Sequence, residues 1–335
     1  MDTIRQAACI GGGVIGAGWV ARLLLNGIDV ALFDPAPDAA RKVEAVMAGA
    51  RRAYGAMTDT LPAEGRLTLA ASLEEAVKDA DFIQESVPER LDLKHKVLAE
   101  IDAHARAEAL IGSSTSGLKP TDMQAPMTHP ERLVVAHPFN PVYLLPLVEI
   151  VAGEKTAPEM VEKAKTIYAS IGMKPVVIRK EIEAFVGDRL LEALWREALW
   201  LIKDGVTTVE ELDDIIRYSF GLRWAQMGLF QTYRIAGGEA GMRHFMAQFG
   251  PCLEWPWTKL TDVPELTDEL VDTIAEQSDE QAAGLSIREL ETIRDDNLVA
   301  IMRALAASQG GKGWGAGEAL NSYAKQLKDR TRKAD

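Results

Sequence analysis

Short apolar runs alternate with helically spaced stretches through the first half of the chain. The runs begin at Ala7, Ile28, Arg66, Asp81, Ala109, Arg132 and Leu147, with a further one at Pro175–Arg179. Their length predicts strands, whereas Val14–Asn26, Ala39–Met57 and Leu91–His104 carry the spacing of helices. Such alternation predicts a mostly parallel, doubly wound sheet with helices on both faces. From Ala184 the pattern changes. Leu190, Leu191, Leu194, Trp195, Ala198, Leu199 and Ile202 mark one broad helix face, Gly205 stops that helix, and Thr207 or Thr208 with Glu210 and Glu211 starts the next. Further helices are expected near 238–249, 266–277 and 287–307.

These patterns divide the chain into an α/β domain over 1–181 and an all-α domain over 182–335. The glycines from Gly310 to Gly315 predict a flexible connection to a short last helix. Length agrees, since 335 residues favour two domains. Thirty-seven basic against fifty acidic side chains give a net charge of −13, with no basic stripe, so no nucleic-acid partner is expected. Two cysteines make neither a disulfide framework nor a four-cysteine zinc site. With no signal-peptide layout, no membrane-length apolar run and no local histidine ligand motif, the expectation is a cytoplasmic protein with no membrane partner and no metal.

Gly11-Gly12-Gly13-Val14-Ile15-Gly16 matches G-x-G-x-x-G, follows an apolar strand and opens a helix. Asp34 ends the next strand eighteen residues after Gly16. In such a turn Gly11 allows the tight bend, Gly13 lets the backbone approach a pyrophosphate, and Gly16 allows close helix–strand packing. The N–H groups opening the helix at Val14 and Ile15 suit phosphate oxygens. A carboxylate at Asp34 can accept from both adenosine ribose hydroxyls and would repel a 2′-phosphate. The expected cofactor is NAD, on a Rossmann-type domain.

The candidate chemistry lies in Ser113-Ser114-Thr115-Ser116-Gly117 and in His137-Pro138-Phe139-Asn140-Pro141, followed by Glu149. His137 is placed just past a strand, at the edge where doubly wound sheets bind ligands. Oxidation of an alcohol needs a group near neutral pKa to take the hydroxyl proton, which suits histidine, and a carboxylate on its other ring nitrogen would fix the tautomer. Ser116 and Asn140 can hydrogen-bond the substrate oxygen. Ser116 could equally cap the short helix near Lys119.

Together Gly11-x-Gly13-x-x-Gly16, Glu85-Ser-Val-Pro-Glu89 with Leu93-Lys94, Ser113-x-Thr115-Ser116, and His137-x-Phe139-Asn140-Pro141 to Glu149 resemble the 3-hydroxyacyl-CoA dehydrogenase superfamily. The resemblance implies His137 as general base, Glu149 as its partner, Ser116 and Asn140 as substrate contacts, and Glu89 and Lys94 as NAD contacts. It also implies a homodimer through the helical domain. Two positions depart from the family pattern. Pro138 replaces the phenylalanine of His-Phe-Phe-Asn-Pro, and Asp188 stands where asparagine precedes Arg189.

Asp188 could face a cationic substrate or simply complement a helix start. The segment from Phe220 to Tyr233 and that from Leu190 to Leu199 resemble members acting on a small zwitterion with a quaternary ammonium group. Aromatic faces recognise such a group, which makes Trp224, Tyr233 and Phe139 the cage candidates, with Arg189, Arg223 or Lys119 for its carboxylate. A polyol-acid dehydrogenase like those acting on L-gulonate, an acyl-CoA dehydrogenase, and a non-catalytic crystallin-like protein are the alternatives.

Overall fold

A computed structural model describes residues 4–225, 228–236, 241–249, 256–259, 265, 267–270, 272–273, 277 and 283–334. By internal contacts the chain divides into one unit formed by Met1–Val186 with Asp295–Asp335, and a second formed by Gly187–Arg294.

The first unit is built on eight strands: β1 (Gln6–Ile10), β2 (Asp29–Phe33), β3 (Leu67–Leu69), β4 (Phe82–Glu85), β5 (Leu110–Ser113), β6 (Leu133–Pro138), β7 (Leu147–Ala152) and β8 (Lys174–Ile178). They form one sheet in the order β3-β2-β1-β4-β5-β6-β7-β8. All pairings are parallel except β6 with β7. The order reverses between β1 and β4, the switch point at which doubly wound sheets open a ligand crevice. Between the strands run α1 (Val14–Leu25), α2 (Ala39–Met57), α3 (Leu73–Val77), α4 (Leu91–His104), α5 (Pro120–Met123) and α6 (Pro158–Ser170). The apolar periodicity locates the strands and the longer α1, α2 and α4 closely. It leaves out α3 and α6, whose faces are mixed with charge.

Two cores form on the two faces of the sheet. One gathers Trp19, Leu23, Tyr54, Phe82 and Tyr168 with Tyr323 and Leu327 from the end of the chain. The other gathers Ile10, Ile83, Leu98, Ile111, Val135 and Phe185. Burying each large side chain contributes about 1.5–3 kcal/mol. Arg22, buried in the first core, donates to the carbonyls of Val142 (2.7 Å), Leu145 (3.1 Å) and Ile171 (2.9 Å). It thereby fastens the β6–β7 connection to α1.

In the second unit the described helices are α7 (Gly187–Lys203), α8 (Val209–Arg217), α9 (Phe220–Trp224), α10 (Leu229–Ala236) and α11 (Gly241–Phe249). Gly205, at φ +66°, follows α7 as expected. Of the two threonines, Thr208 is the N-cap, in a reciprocal capping box with Glu211. Helix start 238–240 and five of the twelve residues of the expected 266–277 helix lie outside the described residues.

A helix, α12 (Ile287–Gly311), returns the chain to the first unit from Asp295 onward. Its geometry leaves the helical range at Ser308, so regular helix ends at Ala307 as the sequence predicts. The tail departs from expectation. The last helix, α13 (Ala316–Ala334), has 19 residues rather than being short. Within the glycine run Gly310 and Gly311 are open, but Gly313 is packed, since a Cβ there would lie 2.8 Å from the Glu318 amide nitrogen. A sequence boundary placing all of 182–335 in the helical domain also differs from these contacts. Tyr323 accounts for much of the difference: it accepts from Asn26 at 2.5 Å, donates to the Tyr54 hydroxyl at 2.9 Å, and fills the notch left by Gly172. Tyr143 likewise donates to Asp295 at 2.5 Å.

Candidate active site

Every candidate residue of the first unit except Lys94, which lies within α4, sits at or near the carboxyl ends of β1, β2, β4, β5 and β6 or faces them across β7. The turn after β1 is the tightest of these places. Gly11 has φ +97°, and a Cβ there would lie 2.6 Å from the Ser86 carbonyl, while one on Gly16 would lie 1.9 Å from the Gly11 carbonyl. Gly13 is different, since a Cβ on it would meet no protein atom within 4 Å. The protein's own packing therefore does not require glycine at 13, whereas a close-lying ligand does. Gly13 is also the N-cap of α1 and offers no side chain to the first-turn N–H groups of Val14 and Ile15. Asp34 is held by the N–H groups of Gly12 (2.6 Å) and Ala36 (2.7 Å), one on each oxygen. Each oxygen retains acceptor capacity. Open space, uncapped donors and an anchored carboxylate fit a dinucleotide.

His137 and Glu149 stand directly opposite in the antiparallel β6–β7 pair. The imidazole lies inside β6 rather than just past it, because pairing with β7 carries the strand to Pro138. Residues opposed in this way share one face of the sheet, and here Nδ1 lies 2.9 Å from Glu149 Oε2. Both side chains are buried. In a neutral imidazole, Nδ1–H donation to the carboxylate puts the lone pair on Nε2. Phe139 and Phe185 flank the imidazole at 4.8 and 5.7 Å. Asn140 is exposed next to Phe139.

Glu89 reaches the loop after β5. Its Oε1 accepts from the N–H groups of Ser116 (3.2 Å) and Gly117 (3.0 Å) and from the Thr115 hydroxyl. Ser116 does not cap α5, whose N-cap is Lys119. Lys94 is 1% exposed, and its ammonium lies 2.8 Å from Glu85 Oε1 and 3.6 Å from Glu89 Oε2. The sequence reading missed Glu85 as a partner for Lys94, although an acid inside an apolar strand signals a buried ion pair. Also missed was a chain of hydrogen bonds beneath the crevice. Tyr168 donates to Gln84 (2.6 Å), and Gln84 (2.7 Å) and Trp19 (2.9 Å) both donate to the Ser114 hydroxyl, which lies 2.9 Å from that of Ser86. No sequence spacing announces such a chain.

Residues 6–182 match the model of the 3-hydroxyacyl-CoA dehydrogenase NAD-binding domain, and 185–273 match that family's C-terminal domain. The chain belongs to the 3-hydroxyacyl-CoA dehydrogenase family. Among relatives within or close to that family, an L-carnitine dehydrogenase of Mesorhizobium japonicum is 77% identical over 98% of this chain and 90% of its own length. One of Pseudomonas putida is 54% identical over 92% and 97%. An L-carnitine dehydrogenase/betainyl-CoA thioesterase of Rhizobium meliloti is 67% identical over 98% of this chain, which spans 66% of that longer protein. The crystal structure of an NAD+-dependent pyridine-carboxylic acid 5-dehydrogenase has a TM-score of 0.76 at 30% identity, covering 91% of this chain and 99% of that one.

Of the remaining candidates, all but Lys119 lie in the second unit. Asp188 is a first-turn acid of α7. Trp224 packs on Phe220 at 4.6 Å, whereas Tyr233 stacks on Phe245 at 4.5 Å, so the two cage candidates sit in separate aromatic pairs. A ring not anticipated from sequence, Trp200, has the ammonium groups of Lys203 and Lys259 at 4.5 and 4.3 Å. Lys119, a carboxylate-clamp candidate in the first unit, is raised above the ordinary lysine range by Asp122 and Glu183. No cluster of three metal-binding side chains occurs among the described residues, and none of their helices is long and apolar enough to cross a membrane.

Proposed function

We propose that the chain oxidises the C3 hydroxyl of L-carnitine to 3-dehydrocarnitine with NAD. The 77% identity to an L-carnitine dehydrogenase over nearly all of both chains carries this reading. The buried His137–Glu149 pair supports the chemistry. The turn from Gly11 to Gly16 holds the pyrophosphate with the N–H groups of Val14 and Ile15, and Asp34 takes the adenosine ribose. Bound NAD supplies the hydride acceptor. His137 takes the hydroxyl proton at Nε2, and Glu149 stabilises the resulting imidazolium. Ser116 and Asn140 steady the substrate oxygen as it becomes a carbonyl, with Ser116 held in place by Glu89.

For the trimethylammonium group we assign Trp224 and Tyr233 of the second unit as aromatic faces, with Asp188 of the same unit adding negative charge. We further propose a homodimer formed through the second unit. Leu190, Leu191, Leu194 and Trp195 are exposed on α7, as is Tyr218 after α8, and exposed apolar surface of this kind marks association sites. A cytoplasmic location suits the few cysteines.

The test is NADH formation from NAD with L-carnitine, D-carnitine, L-gulonate and a 3-hydroxyacyl-CoA in parallel. Turnover confined to L-carnitine is expected. Preferential turnover of gulonate or the acyl-CoA would remove the substrate assignment and leave the family intact.

A further inference from the structure

The chain leaves the first unit through Ala184-Phe185-Val186, and these three residues have unusual backbone geometry. Ala184 and Phe185 have φ of +58° and +48°, so two successive side-chain-bearing residues occupy the left-handed region. Such conformations persist only where their surroundings over-determine them, and they concentrate at functional sites. Here each residue touches a different part of the proposed reaction centre. The N–H of Ala184 donates to the Gly117 carbonyl at 3.3 Å, next to Ser116. Phe185, wholly buried, lays its ring 5.7 Å from the His137 ring at 51°. The N–H of Val186 donates to Glu149 Oε1 at 3.2 Å, on the carboxylate oxygen that His137 does not use.

We infer that Ala184–Val186 is a positioning element for the His137–Glu149 pair, with Phe185 as its central residue. This rests on the reading of His137 as the base. An extended or right-handed backbone at 184–185 would redirect both the Phe185 ring and the Val186 N–H. The left-handed pair presents them together, one to the imidazole and one to the carboxylate. With Phe139 at 4.8 Å the imidazole has a second aromatic neighbour. The ring plane is thereby held while Glu149 holds Nδ1, leaving Nε2 in one direction. None of the three residues touches the reacting atoms in this account. Their effect passes through His137, Glu149 and the Ser116 loop. The next residue, Gly187, begins the second unit.

The test uses the full chain and Phe185→Leu, which keeps an apolar group but removes the ring. The first readout needs no substrate: the proton NMR resonance of the His137 Nδ1–H, assigned by its loss in His137→Gln. A resolved resonance is expected in the parent protein, where Nδ1 lies 2.9 Å from Glu149 Oε2, and in Phe185→Leu it is expected to shift or broaden away. The second readout is kinetic. A fall in kcat of about 10-fold or more is expected, since small misplacements of reacting groups cost up to about 10²-fold, while the Kd for NADH changes less than about twofold. Phe185→Met, whose flexible side chain fills irregular gaps, is read in the same way if the leucine variant does not fold. An unchanged resonance and unchanged kcat with only a lower Tm would overturn the inference and make Phe185 a packing residue. Because the NMR signal is recorded without substrate, a failure of L-carnitine as substrate is told apart from a failure of the positioning role.

Discussion

The two units bury their chemistry differently. In the first, polar groups lie deep and are matched: Lys94 with Glu85, Arg132 with Asp102, Arg22 with three carbonyls, and Tyr168 with Gln84. In the second, described apolar side chains face outward, and α7 has Leu199 as its buried residue while α8 has none. A sheet closed between two helical layers determines its own partners. The described helices of the second unit expose leucines and tryptophans, and it is this face that the proposed second copy would cover. On the proposed reading, the difference separates a unit that fixes a cofactor and a proton-transfer pair from one that supplies specificity and association.

The largest effect that would sharpen this contrast is at His137. His137→Ala should lower kcat by about 10²–10⁴-fold while leaving NADH binding in place. Near-normal turnover would move the base elsewhere. Asp102→Ala comes next, as removal of one partner from a buried pair costs about 3–5 kcal/mol, measured by urea unfolding. The loss should depend on pH. Burial pushes the Asp102 carboxyl up, but the Arg132 guanidinium and the N–H groups of His129 and Thr128 outweigh it and hold the group below its ordinary range. Its stabilisation is therefore present above the unfolded carboxylate value of about 3.9 and lost as pH falls through the lower folded value. Equal destabilisation at neutral pH and well below that value would break the account.

Asp34→Ala removes hydrogen bonds to a charged acceptor, each of about 1.5–3 kcal/mol. It should weaken NAD and narrow the preference over NADP, as read from kcat/KM for both cofactors. Unchanged preference would place the selectivity outside this carboxylate. The smallest expected effect on the first unit comes from Leu194→Glu on the exposed face of α7. NADH affinity should stay within about twofold, with folding changed by about 0.5 kcal/mol or less in an isolated chain, while sedimentation shows loss of the dimer. A monomeric parent protein would break the comparison at its second half.

Much of the first unit was legible because strand runs, glycine turn and terminal acid are local signals. The eight strands follow the apolar runs, and Gly11, Gly13, Gly16 and Asp34 converge as spacing implies. The His137–Glu149 contact was legible through resemblance, but its cause, direct opposition across an antiparallel pair, was not. The alternation suggests parallel strands, and the one reversal lies here. Glu85–Lys94, the Tyr168–Gln84–Ser114–Ser86 chain and the left-handed pair at Ala184–Phe185 have no periodic signature. They arise from separate segments meeting, or from dihedrals that residue type disfavours. The tail was misread for a similar reason: its apolar face indicates a helix, but the partners that bury Tyr323 and Leu327 lie far earlier in the chain.

That return of the tail has a consequence for synthesis. A ribosome makes the chain from its amino end, so the sheet, the glycine turn and the His137–Glu149 strands emerge well before α13. Yet Tyr323 and Leu327 belong to the same core as Trp19 and Tyr54. Until that last helix has been made, the notch at Gly172 and the hydrogen-bonding groups of Asn26 and Tyr54 await their partner. The entire 187–294 excursion must be translated first, and closing so long a loop adds only slowly to the entropic cost. Completion of the cofactor-binding unit thus waits until α13 has been made, after the helical unit has already had its opportunity to form.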